Sequence, residues 1–407
     1  MRRLILSSPV MMIMLVTILA FNPFQNCFAE DMASGIGIQQ GAFMIYPQLK
    51  AGMTYNDNIY ATDTNTKSDW IATIAPNVLA SSTWSRHALK LDAGMDTGFY
   101  MDESDEDYYN AHVLANGRVD VVQDSYFDLK AGYENIYEDR GSPDSLASWS
   151  DPGRYEVLSA GAWANQDMGR FFLKTGGNLA NYNYHSVDMV GGGSDTQESR
   201  DRNEYDVDAR VGYEWLPNVN PFMEARYNWR QYNKDELALR DSNGYRIGAG
   251  TGIYMGGITS CEVFGGYMSQ DYDDREREDV SSAWYGLTLL WDATQLTSVK
   301  AGVKRDVKET TLAGASGIIG TDVDFRVSHE LLRNVKVGLD LGYTYDNYEG
   351  VNVNDKYYRV GPNVSYQLNR YLSADLGYEF RQRDSSQNER LRNYDTNMVM
   401  CSITGRL

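Results

Sequence analysis

Four histidines (His87, His112, His185, His329) and three cysteines (Cys27, Cys261, Cys401) are the residues best suited to nucleophilic or metal chemistry in this chain of 407 residues. An enzyme built on them needs a nucleophile, or a base for water, held against an ordered imidazole. His112 stands on an alternating segment, between Ala111 and Val113, with no Ser or Asp at a defined spacing. His87 and His329 fall in short turns, and His185 falls in a long polar connection. There is no glycine-rich phosphate loop and no Cys/His cluster with metal spacing; Gly191-Gly192-Gly193 follows no buried strand and opens no helix. The expectation is a protein that is not an enzyme, with no cofactor, no metal and no nucleic-acid partner.

The chemistry that remains is charge placed on alternate positions. Arg226, Arg230, Arg246, Lys300, Lys304, Arg326, Arg359 and Arg381 each lie on the parity opposite an apolar one. Acids gather on earlier segments, at Asp92, Asp96, Asp128, Glu134, Asp206 and Asp208. Two readings stay open. The bases form a stripe that guides an anionic sugar or solute, or bases and acids are neutralising cross-strand pairs in a wet interior.

Such charges need a two-faced element to position them. Val335, Val337, Leu339, Leu341, Tyr343 and Tyr345 alternate with Lys336, Gly338, Asp340, Gly342 and Thr344, and the pattern recurs along most of the chain. A period of two is a strand with unlike faces. About eighteen such strands are expected, roughly ten to fourteen residues each, whereas strands of soluble proteins average about five to six. Lipid outside and water inside suits this pattern, so the expected fold is all-β: a single closed antiparallel transmembrane β-barrel. The mean hydropathy of −0.49 agrees, because lumen residues dilute the apolar ones. The 30 tyrosines suit interfacial girdles.

Residues 1–29 read as a signal peptide, with Arg2 and Arg3 ahead of an apolar run to Phe21 and cleavage after Ala29. Its removal takes away two arginines and no acid, moving the formal charge from −19 to −21. Residues 30–42 are a short periplasmic leader, and 43–407 form the barrel. Cys261 and Cys401 lie on strands far apart, so no disulfide is expected. Short turns such as 123–125 and 255–257 alternate with longer polar connections such as 56–69, 138–154 and 183–203, as periplasmic turns alternate with outer loops. The acidic runs at 102–107 and 271–279 read as solvated loop tips. The expected location is the bacterial outer membrane, among its lipid and lipopolysaccharide.

The first hairpin carries the most specific local pattern. It runs from Pro47 through Tyr55, Asp57, Asn58 and Tyr60, then Asp69 and Pro76, to Trp84, Arg86 and His87. It resembles the putative β-barrel porin 2 family, whose members have a proline-bearing strand, a Tyr-x-Asp-Asn-x-Tyr loop, an Ile-x-Pro second strand and a Ser-x-Trp-Ser-Arg-His-like turn. The resemblance is close over residues 43 to about 90. It implies a porin-like conduit for passive export of extracellular or capsular polysaccharide, with periplasmic export partners supplying direction. A general diffusion porin for small polar solutes and a closed structural barrel are the alternatives. The residues themselves suit turn formation at Asp57 and Asn58, an interfacial anchor at Trp84, and a missing ladder donor at Pro76.

Overall fold

The computed structural model describes residues 35–146, 148–233, 240–275, 277–386 and 393–407. The expected signal peptide and the first residues of the leader, 30–34, lie outside the described residues. Eighteen long strands follow one another: β1 (Phe43–Asn56), β2 (Asp69–Ser82), β3 (Ala88–Tyr100), β4 (Tyr108–Val122), β5 (Ser125–Tyr137), β6 (Arg154–Met168), β7 (Phe171–Tyr184), β8 (Arg202–Tyr213) and β9 (Val219–Tyr232). The second half comprises β10 (Ser242–Met255), β11 (Thr259–Tyr272), β12 (Val280–Thr294), β13 (Thr297–Lys308), β14 (Ile318–Leu332), β15 (Val335–Tyr348), β16 (Val353–Gln367), β17 (Leu372–Ser385) and β18 (Tyr394–Arg406). Each pairs antiparallel with its neighbours. β18 returns to β1, from Gln48 opposite Arg406 to Asn56 opposite Met398. The sheet is therefore a closed barrel, and closure removes the strand edges that lipid could not hydrogen-bond.

The faces are inverted relative to a water-soluble protein. On β9, Met223 and Tyr227 are exposed, while Phe222, Glu224, Asn228 and Arg230 point inward and are buried. Leu91, Met95, Leu129, Leu158, Val207, Val211 and Ile403 are likewise exposed. An apolar outer surface around a polar interior is stable only when hydrocarbon is the outer solvent. Tyr227, Tyr245, Tyr267 and Tyr285 are all exposed on successive strands near the loop end, as an interfacial aromatic girdle requires.

Inward glycines make room for rings. A Cβ at Gly212 would lie 2.1 Å from the Phe172 ring, and one at Gly94 would lie 2.6 Å from His112. At the turn end, Asp124 and Asn218 take the left-handed conformation (φ 61° and 67°) that tight reversals demand. Residues Ile38–Gln40 of the leader add a short strand to the start of β1, pairing with Phe43–Ile45. Cys261 and Cys401 are free thiols.

Two of the first-hairpin residues, Asp57 and Asn58, help close the barrel. Asp57 accepts from the Asn397 backbone N–H at 2.7 Å and from Asn397 Nδ2 at 2.8 Å. Asn58 Nδ2 donates to the carbonyls of Thr62 and Asp395 at 2.7 and 2.8 Å. These bonds tie the end of β1 to the start of β18, a partnership that turn chemistry alone did not suggest. Asp69 accepts from the backbone N–H groups of Trp70, Asp102 and Glu103. Tyr60 donates to Glu103, and Tyr55 packs 5.2 Å from Trp70. The β2–β3 ladder skips from Ile74–Thr97 to Asn77–Gly94 across Pro76, which has no N–H. At the turn end, Trp84 is exposed and meets Phe43 edge-on. There Arg86 donates to the Val121 carbonyl, and His87 Nδ1 accepts from the Asp120 N–H. Asp57→Ala removes two charge-assisted bonds and is expected to destabilise the closed barrel by about 2 kcal/mol. The temperature at which the folded band disappears on unheated gels checks this.

Candidate functional site

The inward parity of the strands builds a charged bore. Arg226 lies 3.3 Å from Asp206 and 4.0 Å from Asp208 on the adjacent strand. Arg246 and Lys304 share Asp306, at 2.7 and 3.0 Å. Arg359 meets Asp324 at 3.0 Å, and Arg381 meets Asp139 at 3.0 Å as well as Glu379. Arg230 pairs with Glu309 and Arg326 with Asp340. Lys300 stands between Leu290 and Arg326 in the ladder. The geometry of the bases other than Lys300 is therefore that of neutralising pairs. His112 faces the same bore, 3.6 Å from Asp92 and 3.5 Å from Asn77.

The outer mouth is spanned by a loop. Of the connection between β5 and β6, residues 138–146 and 148–153 are bonded to several sides of the mouth instead of standing clear of it. On their own side, Glu138 accepts from both terminal nitrogens of Arg200 at 2.8 and 2.9 Å. Arg140 donates to the Trp149 carbonyl at 3.1 Å and through Nε to Glu106 at 3.0 Å. Farther across, Asp139 meets Arg381 of β17. Asp144 accepts from the backbone N–H and hydroxyl of Thr311, at 3.0 and 2.7 Å. Thr311 belongs to the β13–β14 loop, which lies roughly opposite in the ring. Arg240 joins the same cover, donating to the carbonyls of Ser199 and Thr310 at 2.8 and 3.0 Å.

One expectation changes here. Glu106, within the acidic run read as a solvated loop tip, has 0 % of its surface exposed and is paired with Arg140. The long connection after β7 also joins the cover. Arg200 anchors it to Glu138, and Val187–Asp188 pairs with Ser194–Asp195 as a small hairpin turned by Gly191, Gly192 and Gly193. Arg140, Arg200 and Glu309 were not singled out from the sequence. They lie in connections, where alternation says nothing, and their partners are distant in the chain. Lys130 and Lys174 were also passed over, although their parity, opposite Leu129 and Leu173, marks them as inward.

Glu309 sits just past the end of β13. Burial alone would raise its carboxyl, but Arg230 and Arg202 outweigh burial and hold it below the usual carboxylate range. A lowered folded pKa contributes stability that is present above the unfolded value, about 4.3, and is lost as pH falls through the folded one. The anchoring of this loop should therefore hold at neutral and mildly acid pH and weaken only in stronger acid. Amide hydrogen exchange across residues 309–317, followed against pH, reads this directly.

A lipid-facing closed wall of eighteen strands around a charged bore defines a class: the porin-like channels of the bacterial outer membrane. The chain belongs to the family described as Putative beta-barrel porin 2, whose model matches residues 33–407. No curated protein matches the sequence. Among solved structures, similar ones include three outer-membrane proteins of Pseudomonas aeruginosa. OccK2 (OpdF) is 11% identical, with a TM-score of 0.48, 90% of this chain covered and 98% of that one. OccK3 (OpdO) is 13% identical, with a TM-score of 0.45 and coverage of 90% and 95%. The outer membrane protein opdK is 12% identical, with a TM-score of 0.44 and coverage of 89% and 98%.

Proposed function

We propose that the channel passes small polar solutes passively and that the loop 138–153 sets the upper size limit. The observation that carries this reading is the loop itself, pinned across the mouth by Arg200, Arg381 and Thr311. Paired charges line the bore, so polar solutes find partners there while apolar ones do not. The sequence holds no nucleotide-binding motif, and transport runs down the solute gradient.

Export of extracellular or capsular polysaccharide, the reading implied by family resemblance, asks more of this mouth. A sugar chain would have to displace the loop, and direction would have to come from periplasmic partners. The two readings separate by solute size. Liposomes carrying the protein should swell in monosaccharide and disaccharide solutions and resist swelling as the sugars lengthen. Absence of swelling even in the smallest sugar would overturn the diffusion reading and favour a closed structural barrel.

A further inference from the structure

Lys130 on β5 and Lys174 on β7 are held differently from the paired bases of the bore. Their ammonium groups lie 5.5 and 5.9 Å from the ring centroid of Trp163, on the intervening strand β6. Trp163 is 4 % exposed and lies close against the wall. Gly161 and Gly176 leave it that space, since a Cβ at either would come within 2.5 Å of the ring. The indole Nε1 donates to Asp208 at 3.0 Å, which fixes the ring orientation. Both lysines are half-buried on the inward face of the wall.

The nearby carboxylates are engaged with other groups. Asp128 accepts from Asn165 Nδ2 at 2.9 Å. Asp208 takes the indole N–H and faces Arg226. Glu224 is held by Arg210. Among the described residues, the contact that both ammonium groups share is the Trp163 ring. Two like charges are thus gathered on one aromatic platform, with Asp128 in their field but no carboxylate in ion-pair contact with either. Their mutual repulsion falls when an anion sits between them, and the poorly hydrated ring beside them strengthens that attraction.

We infer that Lys130, Lys174 and Trp163 form an oxyanion subsite in the bore, taking the carboxylate or phosphate group of a small solute. The lysines supply the charge, and Trp163 is a positioning residue that holds them together. The subsite rests on the channel reading in one respect only: its solutes reach it through the bore.

Titration calorimetry of the purified protein in detergent, with inorganic phosphate and separately with acetate, tests the site. The wild type should bind with one-site stoichiometry, and the Lys130→Gln/Lys174→Gln variant about tenfold more weakly or not at all. Lys130→Arg/Lys174→Arg should restore binding, and the unfolding temperature of both variants should match the wild type. Equal binding in wild type and glutamine variant, or none in the wild type, overturns the subsite. Bilayer reversal potentials keep its failure apart from failure of the channel reading. A wild type that conducts, and whose ion preference the glutamine pair leaves unchanged, refutes the subsite and leaves the channel standing. A wild type that does not conduct refutes the channel, and the calorimetry still decides the subsite.

Discussion

Arg200→Gln is expected to raise single-channel conductance. Arg200 holds both oxygens of Glu138, lies 3.6 Å from Asp144 and covers the Tyr184 ring at 4.0 Å. Its side chain and that of Glu138 are nearly fully buried, at 7% and 8% exposure. Breaking a buried pair by removing one partner costs about 3–5 kcal/mol, because the remaining charge is left without compensation. The Asp139–Arg381 contact is a weaker anchor, since the Asp139 side chain is 52% exposed and such pairs contribute about 0–1 kcal/mol. Loss of Arg200 should therefore free the loop before the barrel is affected. Planar-bilayer recordings should show larger steps than wild type, while the folded band on unheated gels is unchanged. Equal steps in the two proteins would mean that the loop is not the narrow point.

Met223→Arg should be the most damaging single change on the wall. Met223 is 61% exposed on β9, between Ala209-paired Ala225 and the turn-end residue Val219. On the lipid face near mid-membrane an arginine costs about 2–4 kcal/mol. The next residue, Glu224, carries a charge without that cost because it points inward to Arg210. Met223→Leu, similar in volume, should cost less than about 1.5 kcal/mol. Urea unfolding in lipid vesicles compares the three proteins. If the arginine variant unfolds at the wild-type midpoint, the assignment of faces on β9 is inverted.

The wall was legible in the sequence because alternation is a local property. Leu339, flanked by Gly338 and Asp340, marks its own face, and the ladder places it beside Val327 and Pro362 of neighbouring strands. Strand ends were less legible. Strand β6 runs on through Gln166 and Asp167 to Met168, past the last clear alternation. Near the membrane surfaces both faces of a strand meet water, so alternation fades there.

The bore was legible as a face but not as a set of neighbours. Parity places Arg230 inside, yet its partner Glu309 lies in a loop 79 positions away. Asp139 and Arg381 are separated by 242 positions, and Asp144 and Thr311 by 167. Nothing local encodes such pairs. Asp57 and Asn58 illustrate the same limit. Their types suit a turn, and they also bind a strand more than 330 residues later, where the barrel closes.

Current through the wild-type protein in a planar bilayer is the most direct measurement of the central claim. Discrete steps limited in size by the loop 138–153 should appear, and larger steps once Arg200 is replaced. A folded protein that carries no current, in wild-type form and as Arg200→Gln alike, would contradict that claim and leave a closed structural barrel.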